Sequence, residues 1–434
     1  MKKTSINIGV IGFGTVGAGT VKMLLRKRKD LEEKLGFPVV LKKIADLDTK
    51  TSRGIKLPKG LLIKDSNSIL NDPEIDIVVE LIGGTGAAKD ITLKAIQSGK
   101  HVVTANKALL AEKGREIFRA AEKNNVTIGF EASVAGSIPI IKVIRESLIG
   151  NSIKNIYGII NGTANYILTK MTEEGAEFSD VLKEAQDLGY AEADPTFDIE
   201  GVDSAHKLTL LASLAFGIPL SFNKVYTEGI TGITPLDIEF ASEFGYKIKL
   251  LAITKQDGNE VEIRVHPTMI PKNNLISDVN GVFNAIYVNG DATGDGLYYG
   301  KGAGEMPTGS AVVSDIIDIA KLIRSGGKAQ DSGIHEKSDL KVRKMEDIRT
   351  CYYLRFSASD KPGVLSRISG ILGSHNIGIE SMIQKGREIK KAVPVVMMTH
   401  EAREKDIVSA LKQIDRLSVV SGKTMYLRVE GSDS

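Results

Sequence analysis

The segment that most constrains the fold is INIGVIGFGTVG, an apolar run that turns at once into glycines. Residues 6–11 predict a buried strand, residues 12–17 read G-F-G-T-V-G, and AGTVKMLLRKRK then predicts a helix. In such a unit the first glycine permits a tight turn, the second admits a pyrophosphate, and the third packs helix on strand. A glycine-rich turn without a ligand is the alternative. The predicted dinucleotide-binding residues are Gly12, Phe13, Gly14, Thr15, Val16 and Gly17.

Further strand–helix units follow along the first third of the chain. The runs that predict strands are VVLKKIAD (39–46), IDIVVELIGG (75–84), HVVTANK (101–107) and VTIGFEASV (126–134). Helices are predicted between them, at 87–98 and 108–123. Strands that alternate with helices form a parallel sheet covered on both faces. The predicted fold class is therefore α/β, with a Rossmann-type doubly wound parallel sheet.

The end of the second predicted strand bears on the choice of cofactor. Asp46 ends this strand, where an acidic residue bonds a ribose 2′-hydroxyl and favours NAD. The spacing from the glycines is longer than usual, because the helix and its connection are extended. Lys43, Lys50 and Arg53 are near enough to bind a 2′-phosphate instead. NAD and NADP both stay open.

Two other strand ends carry polar side chains, namely Thr85 on one and Thr104 and Lys107 on the next. Ligands of doubly wound sheets bind beyond the carboxyl ends of the strands. Lys107 would also begin the following helix, where a positive charge is disfavoured. Position therefore favours a function for Lys107, with an ordinary surface lysine as the alternative.

Composition excludes several classes of protein. The 434 residues carry a net charge of +3, and no basic run suggests a nucleic-acid groove. No segment approaches the ~20 apolar residues of a membrane span, so we expect neither nucleic-acid nor membrane binding. Cys351 is the single cysteine, which excludes a disulfide within the chain and favours a cytoplasmic location.

The middle of the chain predicts a second, α+β domain with a mostly antiparallel sheet. Its clearest signal is the Asp-Gly turn of KQDGNE, which predicts a hairpin. Ser179 and Asp180 predict a helix N-cap, and residues 290–304 predict a glycine-rich loop before a helix. The predicted domains are 1–135 with 305–325 for the dinucleotide, 136–304 for substrate and dimerisation, a linker at 326–348, and a C-terminal module at 349–430.

The stretch GYAEADPTFDIEGVDSAHK (189–207) is acidic and runs into an apolar helix predicted at 203–216. Asp203 and Lys207 are one helical turn apart and can contact each other. Charges near a buried face need partners or a function. Glu192 precedes them and could help to bind a cationic group. An acidic surface loop with a helical salt bridge explains the stretch equally well at this point.

Several further motifs can be read along the chain, in order from about residue 5 to 325. They are G-F-G-T-V-G, T-A-N-K, F-E-A-S-V-A-G-S-I-P, N-G-T-A-N-Y-I, the acidic stretch itself and G-K-G-A-G-x-x-P-T-G-S-A-V-V-S-D. Together these motifs resemble homoserine dehydrogenase. The resemblance implies reversible reduction of L-aspartate 4-semialdehyde to L-homoserine by NADPH or NADH. That step belongs to threonine, methionine and isoleucine biosynthesis.

The resemblance also implies a role for individual residues. Lys207 would protonate the carbonyl oxygen as hydride arrives, and Asp203 would orient a water or the reacting oxygen. Lys107 would lie beside nicotinamide and substrate. Glu192 would hold the substrate ammonium, with Asp198 assisting. The further residues that would contact the cofactor are Gly189, Gly302 and Gly304.

In the family, the segment that matches residues 131–138 binds a monovalent cation, Na⁺. Oxygen ligands suit such a hard cation. Three of the four implied ligands are backbone carbonyls. The implied ligands are Glu131, Val134, Gly136 and Ile138.

The last part of the chain predicts a ferredoxin-like βαββαβ module. Its D-K-P-G-V-L and H-N-I-G-I-E motifs resemble the ACT family, whose small domains pair and bind amino acids. Gly363, Val364 and Asn376 would lie at the ligand position. Threonine is the candidate effector, and a dimerising domain without an effector is the alternative.

Other functions remain to be weighed against this one. A non-catalytic NAD(P)-dependent amino-acid sensor would combine the same first and last domains, and another NAD(P)-dependent dehydrogenase of a small amino or hydroxy acid is the nearest enzyme. A dehydrogenase that forms an acyl phosphate needs a catalytic cysteine, and Cys351 lies in the C-terminal module. The family resemblance and the open antiparallel sheet lead us to expect a homodimer or homotetramer.

Overall fold

The computed structural model describes residues 3–336, 338–384 and 392–431. Its strands are β1 (Ile6–Ile11), β2 (Val39–Ala45), β3 (Leu62–Ile63), β4 (Ile77–Glu80), β5 (His101–Thr104), β6 (Ile128–Gly129), β7 (Ile153–Ile159), β8 (Tyr226–Thr227), β9 (Tyr246–Asp257), β10 (Glu260–Pro271), β11 (Phe283–Gly290), β12 (Gly294–Lys301), β13 (Lys341–Val342), β14 (Arg349–Ser359), β15 (Ile379–Gln384), β16 (Ala392–Thr399), β17 (Ala402–Arg403) and β18 (Met425–Val429).

Its helices are α1 (Thr15–Arg26), α2 (Arg28–Leu35), α3 (Asn67–Leu70), α4 (Ala87–Gln97), α5 (Lys107–Lys123), α6 (Ile140–Lys142), α7 (Gly162–Glu174), α8 (Phe178–Asp187), α9 (Thr196–Ile199), α10 (Val202–Phe216), α11 (Pro235–Glu243), α12 (Glu305–Ser325), α13 (Val364–Ser374) and α14 (Glu404–Ile414). None of the helices described is long and apolar enough to cross a membrane.

The chain forms two compact units. The first comprises Met1–Gly162, Asp203–Val225 and Val282–Leu340, and the second comprises Thr163–Val202, Tyr226–Gly281 and Lys341–Ser434.

A six-stranded parallel sheet organises the first unit, with the order β3-β2-β1-β4-β5-β6. β1 lies next to the centre, paired with β2 and β4. Ile8 and Val10 are fully buried, and so is the neighbouring Ile77 of β4. Burial on both faces explains why these strands are continuous apolar runs rather than alternating ones. The predicted Rossmann-type sheet is confirmed.

Helix α12 returns to this sheet from far along the chain. It packs on α1, where a Cβ at Gly19 would lie 2.0 Å from the carbonyl oxygen of Glu305. A Cβ at Gly309 would similarly lie 2.8 Å from the backbone of Gly19. The two helices therefore cross at backbone contact, which only glycine permits at these positions. This contact joins residues 305–325 to the dinucleotide-binding sheet.

The first unit also holds the antiparallel strands β7, β11 and β12, with β11 in the middle. The prediction of a loop over 290–304 is wrong for Gly294–Lys301, which form β12. Glycine is depleted in strands, so the segment suggests a loop. Pairing with β11 outweighs this tendency and makes the segment a strand. Leu297 lies opposite Tyr287 of β11, and burial alternates along the edge strand β12.

The second unit contains the predicted hairpin of β9 and β10, whose turn includes Gly258 at φ 57°. Strand β10 continues through β18 into β14, β16 and β15. The order β14-α13-β15-β16-α14-β18 confirms the predicted βαββαβ module, and the short β17 is an addition to it. The N-cap predicted at Ser179 and Asp180 is wrong. Helix α8 already begins at Phe178, with Glu177 as its N-cap.

Candidate active site

The glycine turn between β1 and α1 has the geometry of a pyrophosphate site. Gly12 has φ 102°, and a Cβ there would lie 2.5 Å from the carbonyl oxygen of Leu81. A Cβ at Gly17 would lie 2.2 Å from the carbonyl oxygen of Gly12, so helix and strand meet closely. Gly14 faces open space and caps α1 without a side-chain hydrogen bond. The N–H groups at this helix start therefore fit an anionic ligand.

The other residues of this turn differ in exposure. Phe13 is buried in the core of the sheet and offers only its backbone. Its N–H donates to Asp46 Oδ2, and its carbonyl accepts from Arg53 Nε at 3.0 Å. Thr15 and Val16 form the first turn of α1. Both Asp46 and Arg53 thus lie beside the predicted cofactor turn.

The basic residues near Asp46 are placed differently. Asp48 accepts from the N–H groups of Lys50 and Thr51 and from Arg53 Nη2, each at 3.0 Å. This loop therefore fixes Arg53 close to Phe13, with Lys50 exposed alongside. Lys43 instead donates to Asp72 at 2.9 Å.

The ends of β4 and β5 are tied together by a buried carboxylate that the sequence reasoning missed. Glu80 is fully buried and accepts from Thr104 Oγ1 at 2.7 Å. Burial raises the pKa of Glu80, against the hydrogen bond from Thr104. Asn106 caps α5 and donates to the carbonyl of Gly84 at 2.7 Å, one residue before the half-buried Thr85. These contacts fix the point where α5 begins, at Lys107.

Three charged side chains meet at the start of α10. Lys207 Nζ donates to Asp203 Oδ2 at 2.6 Å and to the carbonyl of Ile160 at 2.6 Å. Lys107 Nζ lies 3.1 Å from Asp203 Oδ1. Asp203 is 7% exposed and Lys207 9% exposed. One buried carboxylate thus holds two ammonium groups.

Asp203 is ionised in this cluster. Burial alone would raise its pKa, but the charges of Lys207 and Lys107 outweigh burial and lower it overall. Asn161, which the sequence reasoning did not assign, donates from Nδ2 to Asp203 Oδ2 at 2.9 Å. The only signal for Asn161 was its place in N-G-T-A-N-Y-I, where it reads as a turn residue.

The two carboxylates predicted to bind substrate, Glu192 and Asp198, and the predicted cofactor residue Gly189 lie in the second unit. Gly189 has φ 74° just after α8. Glu192 is exposed in the following loop, and Asp198 is half-buried in α9. Asp194, for which the sequence offered no role, accepts from Thr196 N and Oγ1 at 3.1 and 2.6 Å and so starts α9.

The predicted cation segment centres on Glu131, which is 2% exposed. Its carboxylate accepts from the N–H groups of Ile141 and Lys142 at 2.8 and 2.9 Å. Burial, and then the charge of Asp315, raise the pKa of Glu131 to about 7. A bound cation would stabilise the ionised form of this buried carboxylate, so Glu131 fits the role of a ligand.

The rest of this segment bends through left-handed backbone. Ala135 and Gly136 both have φ 51°. The Val134 N–H donates to the Glu131 carbonyl at 3.4 Å, and the Ile138 carbonyl accepts from Ile140 at 2.8 Å. Among the residues described, no group of three or more His, Cys, Asp or Glu could hold a metal ion. The implied set depends mainly on backbone carbonyls instead.

The glycine loop before α12 packs against this segment. A Cβ at Gly136 would lie 2.5 Å from the carbonyl oxygen of Gly302. A Cβ at Gly302 would overlap the amide of Asn284, which is itself buried. Gly304 has φ 125° and caps α12. The loop that holds two predicted cofactor residues is therefore fixed at both ends by positions that demand glycine.

In the C-terminal module, the three predicted effector residues lie at the two ends of α13. Gly363 has φ 86° and precedes the helix, and Val364 is its buried first residue. Asn376 has φ 58° just after the helix, where its N–H donates to the carbonyl of Gly373 at 3.0 Å.

Family models match successive parts of the chain. The model described as homoserine dehydrogenase, NAD binding domain, matches residues 12–131, and the homoserine dehydrogenase model matches 139–317. The ACT domain model matches 352–419. A curated homoserine dehydrogenase of Neisseria gonorrhoeae is 48% identical over 432 residues, 98% of each chain. The chain belongs to the homoserine dehydrogenase family.

Solved structures agree with this assignment. A crystal structure of a homoserine dehydrogenase from Thiobacillus denitrificans superposes with a TM-score of 0.92 at 46% identity, covering 99% of both chains. A hyperthermophilic archaeal homoserine dehydrogenase in complex with NADPH has a TM-score of 0.63 at 27% identity, covering 73% of this chain and 98% of that chain.

The family assignment confirms the predicted activity. The chain is an oxidoreductase of the homoserine dehydrogenase type, and its first domain binds a nicotinamide cofactor. It also confirms the C-terminal ACT domain and the place of the enzyme in amino-acid biosynthesis.

Proposed function

We propose that Lys207 is the proton donor in the reversible reduction of L-aspartate 4-semialdehyde to L-homoserine. The nicotinamide cofactor supplies the hydride. The observation that carries the proposal is the Lys207 ammonium, held at 2.6 Å by both Asp203 and the carbonyl of Ile160. A held ammonium can stabilise a developing alkoxide and give it a proton.

Lys107 completes the charge arrangement. With Lys207 it places two positive charges against the single carboxylate of Asp203. The excess positive charge favours an oxyanion, and Asp203 keeps both ammonium groups in position. Asn161 orients Asp203 through its amide.

We assign the substrate ammonium to Glu192, assisted by Asp198. The support is the match of these residues to the family motif and, for Glu192, an exposed carboxylate. A carboxylate is the natural partner for an ammonium group. Gly189 would contact the cofactor, on the same match.

We propose that NADP is accepted as well as NAD. Arg53 is fixed next to the glycine turn by Asp48, and Lys50 lies exposed alongside. Cations at this place suit a 2′-phosphate. The archaeal relative whose structure contains NADPH adds support from the family.

We further propose a Na⁺ site at Glu131 with the carbonyls of Val134, Gly136 and Ile138, and an amino-acid effector, threonine, at Gly363, Val364 and Asn376. The burial of Glu131 supports the first. The ACT family match supports the second.

We propose the domain boundaries that the sequence predicts, with 1–135 and 305–325 binding the dinucleotide and 136–304 binding the substrate. Residues 326–348 are the proposed linker, and 349–430 the ACT domain. We also propose a homodimer or homotetramer, on the grounds of the family resemblance and the open antiparallel sheet. We propose a cytoplasmic location, because Cys351 is the single cysteine and excludes an intrachain disulfide.

One assay tests the reaction and the cofactor together. Purified protein is given L-homoserine with either NAD or NADP, and formation of the reduced nicotinamide is followed by absorbance. We expect turnover with both cofactors. No turnover with either would contradict the proposal, and turnover with NAD alone would contradict the part assigned to Arg53.

A further inference from the structure

A buried arginine of the C-terminal module contacts residues next to the segment 192–201, which carries Glu192 and Asp198 and is called the substrate segment below. Arg428 of β18 is fully buried. Its Nε donates to Glu404 Oε2 at 3.0 Å, and its Nη1 donates to Glu228 Oε2 at 2.8 Å. The ring of Tyr226 lies 5.1 Å from the guanidinium carbon. One side chain thus joins helix α14 of the module to residues 226–228.

Residues 226–228 are in turn held by strand β10. Tyr226 and Thr227 form β8, which pairs with Arg264 and Val265 of β10. The Glu228 N–H donates to the carbonyl of Val265 at 2.8 Å. Glu228 also accepts from the Tyr226 hydroxyl at 2.8 Å. The Glu228 carboxylate is therefore fixed in place at the point where Arg428 reaches it.

The end of the substrate segment rests on these same residues. The Ile230 N–H donates to the carbonyl of Ile199 at 2.8 Å. A Cβ at Gly229 would lie 2.4 Å from that carbonyl oxygen, so the two backbones are in contact. Gly201 has φ 80°, and a Cβ there would lie 3.2 Å from Val265 Cγ1. Residues 199–201 directly follow Asp198 in the chain and precede α10.

We propose that the Arg428–Glu228 ion pair positions the substrate segment 192–201, so that the C-terminal module sets the affinity for the amino-acid substrate. The proposal rests on the roles proposed above for Glu192 and Asp198. Arg428 and Glu228 act through the backbone contacts of residues 199 and 229 and do not touch the substrate. They are positioning residues.

This arrangement predicts which kinetic constant changes. Glu192 and Asp198 bind a substrate group that does not react, so a misplaced segment weakens the ground state and the transition state alike. Such a loss raises KM for homoserine and leaves kcat nearly unchanged. A ligand that shifts β18 would alter KM in the same way. An ion pair that only stabilises the fold would change neither constant.

The first test is Glu228→Gln, compared with Glu401→Gln as a matched control. Glu404 still neutralises Arg428 in the first variant, so the fold is retained. Glu401 belongs to an exposed pair with Arg349 in the same module. We expect KM for homoserine to rise on the order of tenfold in Glu228→Gln, with kcat within about twofold. We expect no change in Glu401→Gln. An unchanged KM in both variants overturns the proposal.

A second variant, Gly229→Ala, leaves the ion pair unchanged. A second measurement, hydrogen exchange, does not require turnover. Gly229→Ala pushes on the carbonyl of Ile199 and should raise KM for homoserine in the same way. Hydrogen exchange of amides 192–201, followed by mass spectrometry, should be faster in Glu228→Gln than in wild type and in Glu401→Gln. Equal exchange in all three proteins rejects the coupling. Faster exchange in Glu228→Gln, together with a wild-type protein that does not turn over homoserine, supports the coupling and rejects the proposed function instead.

Discussion

Two clusters of buried charge, one in each compact unit, are built in opposite ways. In the first unit, one carboxylate, Asp203, contacts the two ammonium groups of Lys207 and Lys107. In the second unit, each of two buried guanidinium groups contacts two carboxylates. These contacts are Arg264 with Glu262 and Glu430, and Arg428 with Glu228 and Glu404. Positive charge is in excess among the contacts of the first cluster, and negative charge is in excess among those of the second.

The choice of cation follows the same division. Burial would lower the pKa of Arg264, but Glu430 and Glu262 raise it overall, and Glu404 does the same for Arg428. A guanidinium therefore stays charged and acts as a permanent link. An ammonium can lose its proton to a reacting oxygen. A buried cluster in which lysines outnumber carboxylates is therefore suited to proton transfer. A buried cluster in which each arginine contacts two carboxylates is suited to holding elements of the fold together.

The largest expected effect is on turnover in Lys207→Ala. Loss of the proton donor and of one charge near the oxyanion should lower kcat by about 10³-fold or more. The fold should be retained, because Lys107 still neutralises Asp203. Steady-state kinetics with homoserine and circular dichroism measure the two properties.

The matched control is Lys170→Ala. Lys170 pairs with Glu174 at 2.6 Å with the same i,i+4 spacing, and neither residue belongs to the proposed site. Its kcat should equal that of wild type. Near-wild-type kcat in Lys207→Ala would remove the assignment of the proton donor.

Substitutions in the buried arginine cluster of the second unit should change the stability of the protein rather than its turnover. Arg264→Leu removes the guanidinium that contacts both Glu262 and Glu430, which are buried. Arg343 still contacts Glu262, so the free energy of unfolding should fall by about 3 kcal/mol. Arg349→Leu, which breaks an exposed pair with Glu401, should cost at most about 1 kcal/mol. Urea unfolding measures both. Equal losses would show that burial does not distinguish these pairs.

A smaller effect on turnover is expected from Asn161→Ala. The amide orients Asp203, so its loss should lower kcat by about tenfold. Asn289→Ala is the control, because Asn289 donates to the exposed Asp295 on an edge of the sheet. A kcat within twofold of wild type in both variants would leave Asn161 without a part in the site.

The sequence was informative where the contacts are local. Asp203 and Lys207 contact each other because they are one turn apart on α10, and that spacing can be read from the sequence. The carbonyl of Ile160 lies 47 residues from Lys207 in the chain, so only the fold brings them together. Asn161 was read as a turn residue for the same reason. Strand β12 was missed because its glycines oppose a strand and its pairing with β11 is a tertiary effect.

The buried charges of the second unit were missed on similar grounds. Arg264, Arg428 and Glu228 come from separate segments, each of which reads as an ordinary alternating strand or loop. Hydrophobic periodicity predicts that a strand has a buried face but not which charges meet on it. Residues that lie far apart in the chain can be paired only once the sheet order is known.

A third buried cation, Lys249, refines the comparison. Lys249 of β9 donates to the carbonyl of Val279 at 2.7 Å and to the amide oxygens of Asn280 and Asn165 at 3.0 and 3.2 Å. These acceptors are uncharged, unlike the carboxylate that holds Lys207. Burial, followed by the charge of Lys247, lowers the pKa of Lys249 to about 7.

The lowered pKa gives Lys249 a defined effect on stability. In the unfolded chain its pKa is about 10.4, so between pH 7 and 10 the unfolded state binds a proton that the folded state lacks. Stability should therefore rise with pH across this window, by up to ~1.4 kcal/mol per pH unit from this group. Lys249→Met should show a slope lower by that amount in urea unfolding measured at several pH values. Identical slopes would mean that Lys249 stays protonated when folded, so that three neutral acceptors hold a charge as well as one carboxylate does.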